Sequence, residues 1–302
     1  MKLLRDLIDI HSPSGEEFRM KSFLLDYVRT NQASWMVQPE IFAGEELYGG
    51  LILSFGKPRT AIFAHMDTVG FTVRYQDQLV PIGGPSFDEN YRLVGEDSLG
   101  PIECGLKEKS GNLFYDFPRA IATGTSLVFK PELEVSEEWI TGPGLDNRMG
   151  IYNALKVAET LEDGLLVFGG YEEIGGGSVP VLLDFIQEHK PVKQVLISDI
   201  TWATEGVQHG KGVAISVRDR NVPPRNFVEK LISLADNSGI KYQLEVEGSG
   251  SSDGREVHHS PYALDWCFVG AAESNIHSPE ERVHTSDLQS MIDLYRYFMQ
   301  KL

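Results

Sequence analysis

The stretch Leu165-Leu166-Val167-Phe168-Gly169-Gly170-Tyr171-Glu172-Glu173-Ile174-Gly175 decides how this chain is read. Its apolar run reads as a short buried strand, and the strand ends at a pair of carboxylates. Downstream the period changes: Val179 to Glu188 reads as a helix, and Gln194 to Ile197 as a second strand that ends at Asp199. Upstream, Asn147 to Leu161 reads as a helix with Met149, Ile151, Leu155, Ala158 and Leu161 at its apolar positions. Before it, Leu51 to Phe55 and Thr60 to Ala64 read as strands either side of a Gly56-Lys57-Pro58 turn, and the second delivers His65.

Toward the C-terminus the spacing predicts strands over 213–217, 242–246 and 264–270, a helix over 225–236 and a last helix from about Asp287 to Lys301. Helix starts are expected at two capping boxes, Ser14-Gly15-Glu16-Glu17 and Ser286-x-x-Gln289. Alternating β and α units predict an α/β fold with a largely parallel or mixed sheet covered on both faces. Such sheets bind ligands beyond the carboxyl ends of their strands, where His65, Glu172, Glu173 and Asp199 fall. From about Gly70 to Trp139 the pattern differs: short apolar runs are broken by Gly, Pro, Asp and Asn with no 3.6-residue period, which predicts a small inserted β-domain.

The chain has 302 residues, enough for a full core and more than one domain. An apolar fraction of 41% with 24% charged residues excludes disordered and fibrous classes. No apolar run approaches the roughly 20 residues that span a bilayer. Asp6 lies where a signal peptide would be apolar, so a cytoplasmic protein is expected. The net charge of −17 opposes binding to nucleic acid or to an anionic membrane. Cys104 and Cys267, far apart and in no C-x-x-C pattern, predict neither a disulfide framework nor a thiolate metal site. Gly175-Gly176-Gly177 lacks the Lys-Ser/Thr of a phosphate loop.

Five segments carry potential metal ligands: Ala64-His65-Met66-Asp67, Leu145-Asp146-Asn147-Arg148, Glu172-Glu173-Ile174-Gly175, Ile197-Ser198-Asp199 and Ile276-His277-Ser278-Pro279. Singly each fits a structural role, Asp146 as a helix N-cap and the Glu pair as a solvated loop. Jointly they offer imidazole and carboxylate donors for two three-ligand sets that share one Asp, as two cations ~3.5 to 4 Å apart require. Asp67, two residues beyond His65 in an extended segment, can reach back to orient the imidazole. One carboxylate of the Glu pair can bind metal while the other faces a water that the cations acidify towards ~7. Of the remaining histidines, His284, His258 and His259 lie near His277 in sequence; His11 and His209 read as surface residues.

The order His-x-Asp, Leu-Asp-Asn-Arg, Glu-Glu-Ile-Gly, Asp and Ile-His-Ser-Pro resembles the dinuclear zinc metallopeptidases of the glutamyl aminopeptidase and deblocking aminopeptidase family, also labelled cellulase M. The likeness runs from the Ser14 region through Asp287 and includes Gly70-Phe71-Thr72-Val73 and Ser252-Asp253-Gly254. It implies that His65, Asp146 and Asp199 bind one metal and Asp146, Glu173 and His277 the other. Asp146 would bridge, Glu172 would be the general base and Asp67 would orient His65. The implied ions are two divalent cations, zinc first, with cobalt or manganese as alternatives.

The implied fold is a phosphorylase/hydrolase-like catalytic domain made of residues 1–68 and 141–302. A β-domain over 69–140, used in the family for oligomer assembly, interrupts it, so peptide substrates and a homo-oligomer are expected. Thr68 stands where the family more often has Glu, Gly175-Gly176-Gly177 replaces a bulkier stretch, and Ser274-Asn275 replaces Arg-Tyr. The resulting expectation is a metal-dependent aminopeptidase. Its rivals are a dinuclear deacylase or carboxypeptidase, and a silent assembly subunit on the same scaffold. A glycosidase is disfavoured, because the acids it would pair across a sugar serve better as metal ligands.

Overall fold

The computed structural model describes all 302 residues, Met1–Leu302. Helices α1 (Lys2–Ile8) and α2 (Phe18–Asn31) come first, followed by strands β1 (Glu40–Phe42), β2 (Leu51–Phe55) and β3 (Thr60–His65). Six strands follow: β4 (Gly70–Val73), β5 (Gln78–Ile82), β6 (Arg92–Asp97), β7 (Gly100–Lys109), β8 (Asn112–Asp116) and β9 (Ser126–Phe129). The chain then forms β10 (Glu134–Val135), β11 (Trp139–Thr141), α3 (Leu145–Ala158), β12 (Gly164–Gly169), α4 (Val179–His189) and β13 (Gln194–Trp202). Last come β14 (Val213–Arg218), α5 (Arg225–Ser238), β15 (Tyr242–Val246), α6 (Gly254–His259), β16 (Asp265–Ser274), β17 (Arg282–His284) and α7 (Thr285–Lys301).

The large sheet has eleven strands, with β1-β2-β12-β3-β13-β16-β17-β11-β10 in order and β14 and β15 branching from β16. It is mixed: β12 and β13 flank β3 in parallel and β16 runs parallel to β13, whereas β2, β14 and β17 join antiparallel. Strand side chains alternate between two buried faces. Ile62 and Ala64 face a core shared with α1, α2, α3, α5 and α7, whereas Ala61 and Phe63 face a second core under α4 and α6. Burial on both sides explains why β3 and β12 read as uninterrupted apolar runs.

Strands β4 to β9 close into a separate six-stranded barrel around Phe71, Leu93, Leu106 and Leu127. This is the β-domain expected from the broken pattern after Gly70. Its last strand ends at Phe129, and β10 and β11 pair in the large sheet through β17. No helix is long and apolar enough to cross a membrane. Cys104 and Cys267 are both free and buried, one in the barrel and one in the main core.

Neither expected capping box forms. Helix α2 begins one residue after Glu17, whose carboxylate accepts the backbone N–H groups of Gly15 and Tyr171 instead of capping. Ser14 is turned toward Asp67. At α7 the cap is His284, whose Nδ1 accepts the Ser286 N–H. Strand β13 does not stop before Asp199 but runs through it to Trp202, because β16 stays paired with it along that whole length.

Candidate metal centre

His65 closes β3, and Gly169 at the end of the neighbouring β12 lies directly across from it. The register of two parallel strands therefore brings the Glu172-Glu173 turn beside the imidazole. Asp67 ties these segments together. Its carboxylate accepts the Ser14 hydroxyl at 2.6 Å and the backbone N–H groups of Glu172 and Glu173 at 3.2 Å each. Toward His65 it offers its main-chain carbonyl, 3.1 Å from Nδ1, while the carboxylate is 3.5 Å away. Both contacts turn Nε2 toward the acids.

Those acids converge. Asp146 Oδ1 lies 3.0 Å from His65 Nε2 and its Oδ2 lies 3.4 Å from His277 Nε2, so each carboxylate oxygen faces a different imidazole. Asp199 Oδ2 is 3.6 Å from His65 Nε2, and Glu173 Oε2 is 3.2 Å from His277 Nε2. Glu172 Oε2 stands at 4.0 Å from His65 Nε2. Two groups result, His65–Asp146–Asp199 and Asp146–Glu173–His277, with donor atoms in each lying within 4.8 Å of one another. His284 is elsewhere, stacked edge-on against Trp139, and His258 packs against Trp266.

His277 sits in a loop at positive φ. The barrel holds it there: its Nδ1 is 3.1 Å from the Gly84 carbonyl, and its own carbonyl accepts the Ser86 N–H at 2.8 Å and hydroxyl at 3.0 Å. Asp146 is held by its backbone, whose N–H donates to the buried carboxylate of Glu281. Beneath the site, Asn147 donates to the Ser198 carbonyl and accepts the Gly150 N–H. The packing there is tight enough that a Cβ on Gly150 would meet the Ser198 carbonyl at 2.0 Å. Arg148 is buried and donates to the carbonyls of Met66 and Ile10.

So many carboxylates in one pocket perturb one another. Burial pushes the Glu172 carboxyl well above the usual range, and Asp199, Asp253 and Glu173 add to the rise. Burial and the charge of Asp146 likewise raise Asp199 and Glu173. Burial also opposes ionisation of Asp146, yet hydrogen bonds from His277 and His65 hold its carboxyl below the ordinary value. Burial disfavours charge on His277, but Asp146 and Glu173 hold it up to about 11. Arg148, pushed down to about 10 by burial, is a buried cation whose charge acts on Asp67, Glu281, Glu173 and Asp146.

The donor set fits divalent cations. Imidazole nitrogens and carboxylate oxygens form two three-atom groups, and Glu173 Oε1 is buried with no hydrogen-bond partner. Four residues that support the site, Ser14, Gly84, Ser86 and Glu281, have no such role in the sequence motifs. Glu273 is buried with both oxygens unpartnered, and a carboxylate inside an apolar strand is the one signal that would have flagged it. His11 and His209, expected at the surface, are half-buried and bond to Ser126 and Ser274.

The sequence profile of the family described as M42 glutamyl aminopeptidase matches residues 116–294. The chain is 24% identical over 242 residues to a protein of Acetivibrio thermocellus named putative aminopeptidase, covering 76% of this chain and 70% of that one. Among solved structures it resembles the aminopeptidase APDkam598 of Desulfurococcus kamchatkensis, with a TM-score of 0.86 at 22% identity over 100% of this chain and 94% of that one. It also resembles the TET1 peptidase of Pyrococcus horikoshii, described as assembling into a tetrahedron or a large octahedral shell. The TM-score is 0.82 at 20% identity over 100% of this chain and 99% of that one.

Proposed function

The chain belongs to the M42 glutamyl aminopeptidase family and is a peptide-bond hydrolase, and on that premise we propose that it removes N-terminal residues from peptides with the help of two divalent cations. The observation that carries the reading is Asp146, whose two oxygens face His65 and His277 separately. His65 and Asp199 would complete one cation site, and Glu173 and His277 the other. Zinc suits this mixture of imidazole and carboxylate, with cobalt or manganese as substitutes. When bound, such ions polarise the scissile carbonyl and lower the pKa of water towards ~7.

Glu172 is our general base. It borders the cavity beside both ligand groups, with its Oε2 4.0 Å from His65 Nε2, within reach of a water held between them. The same oxygen then delivers the proton it has taken to the departing amine. Asp67 acts through others: it orients His65 and fixes the main chain from which Glu172 and Glu173 project. We divide the chain into a catalytic domain of residues 1–68 and 141–302 and an insert over 69–140, with the correction that residues 134–140 pair in the large sheet and go with the catalytic domain; the barrel of the insert we assign to homo-oligomer assembly.

The test compares free and N-acetylated forms of one peptide after loading the protein with Zn²⁺, Co²⁺ or Mn²⁺. Release of the first residue from the free peptide alone is expected. Removal of the acetyl group or of the C-terminal residue would overturn the reading in favour of a deacylase or carboxypeptidase, and no cleavage with any metal would favour a silent subunit.

A further inference from the structure

The cavity beside the two ligand groups encloses about 300 Å³, at the small end of ligand pockets. Three of its lining carboxylates, Asp219, Glu245 and Glu247, have no part in the proposed chemistry. Topology collects them: Glu245 lies on β15, Glu247 just beyond it, and Asp219 just beyond the parallel neighbour β14. The Glu247 N–H donates to the Arg218 carbonyl, which locks the two strand exits side by side.

Glu245 is only 3% exposed. Its carboxylate accepts a hydroxyl from Thr201, and Glu247 accepts one from Thr204. None of the three acids forms a salt bridge. The adjacent Arg218 directs its Nε to the Asp219 main-chain carbonyl. Burial, with repulsion from Asp219 and Glu247, holds the Glu245 carboxyl above its ordinary range. A buried carboxylate is costly when charged; protonation offsets that cost, and so does a cation brought against it, which leaves the charge in place. The same cavity is lined by two aromatic residues, Trp202 at the end of β13 and Phe268 on β16. An aliphatic stem or a guanidinium can lie against such rings while its charged end reaches the acids.

We propose that this cavity receives the side chain of the substrate's N-terminal residue and selects a cationic one, lysine or arginine, through Glu245, Glu247 and Asp219. The proposal rests on the aminopeptidase reading of the metal centre. Acidic N-terminal residues are repelled by the same wall. The α-ammonium group, which every free peptide carries, is common to all substrates and does not discriminate among them.

Lysyl, arginyl, norleucyl and glutamyl anilides, assayed with the metal-loaded enzyme at neutral pH, test this, since norleucine lacks only the ε-ammonium of lysine. Lysyl or arginyl substrate is expected to exceed norleucyl by at least tenfold in kcat/KM, with glutamyl lowest. Glu245→Gln and Glu247→Gln should each lower the lysyl-to-norleucyl ratio several-fold. If the buried Glu245→Gln variant fails to fold, the half-exposed Glu247 carries the test. A wild-type preference for norleucyl or glutamyl substrate, or an unchanged ratio in the Glu247 variant, would overturn the pocket assignment alone. Cleavage of none of the four would remove the aminopeptidase reading and this proposal with it.

Discussion

The Gly84 carbonyl, in the loop leaving barrel strand β5, lies 3.1 Å from Nδ1 of His277. A residue of the inserted domain thus sets the orientation of a candidate ligand on the main sheet, and leaves Nε2 facing Asp146 and Glu173. Partners of this kind on the far nitrogen of a ligating histidine tune metal affinity by 10 to 100-fold.

Ser86 reinforces the link by donating both its N–H and its hydroxyl to the His277 carbonyl. Ser86→Ala removes one of these bonds, and we expect about a tenfold weaker affinity at the Asp146–Glu173–His277 group with little change at the other. Calorimetric metal titration would resolve the two steps; identical isotherms for variant and wild type would count against a structural link between barrel and site.

Glu172→Gln keeps the shape of the side chain but removes its ability to take a proton. Turnover should fall by roughly 10²- to 10⁴-fold, while metal content by atomic emission stays near two ions per chain. A variant that keeps most of its activity would refute the role of Glu172, and one that loses its metals would reassign it as a ligand.

Ser14→Ala withdraws the 2.6 Å hydrogen bond to the buried Asp67 carboxylate. Hydrogen bonds to charged groups contribute about 1.5 to 3 kcal/mol, so urea unfolding should show a loss of that order. Because Asp67 also holds the Glu172 and Glu173 main chain, kcat should drop as well. A stability loss with unchanged kcat would limit Ser14 to a structural role.

Metal removal should invert the effect of alkali. In metal-free protein, despite burial, Asp146 and Glu173 hold the His277 imidazole up to about 11 against an ordinary 6.5. The folded chain therefore binds more protons than the unfolded chain between those values, and this contribution to stability is complete below about 6.5 and lost as pH climbs toward 11. Chelated protein should lose thermal stability across that window. Metal binding competes with the same proton, so metal affinity should rise with pH. Scanning calorimetry with and without chelator checks both signs; metal-free protein that gains stability with alkali would contradict the ion pairing of His277.

Much of this molecule was legible one segment at a time. The apolar runs before His65 and Glu172 announce buried strands because burial on both faces leaves no polar alternation, and the broken text after Gly70 announces a β-domain because no helical period survives there. The capping boxes misled for a physical reason. Ser14 and Glu17 have hydrogen-bond partners far away in sequence, and those partners, Asp67 and Tyr171, offer more than an exposed helix end. The apolar run ends β13 at Asp199, short of Trp202, because the pairing with β16 that carries the strand on is not visible in β13 itself.

The sequence by itself determined which donor atoms exist, in what order they follow the strands, and that the centre must be acidic. These are local properties: side-chain chemistry and hydrophobic period need only near neighbours. Only the tertiary structure decided that Asp146 turns one oxygen to each imidazole, that Gly84 backs His277 from another domain, and that Glu245 lies buried without a cation. Each of these depends on segments tens to hundreds of residues apart meeting within hydrogen-bond range, and that is set by strand register and packing.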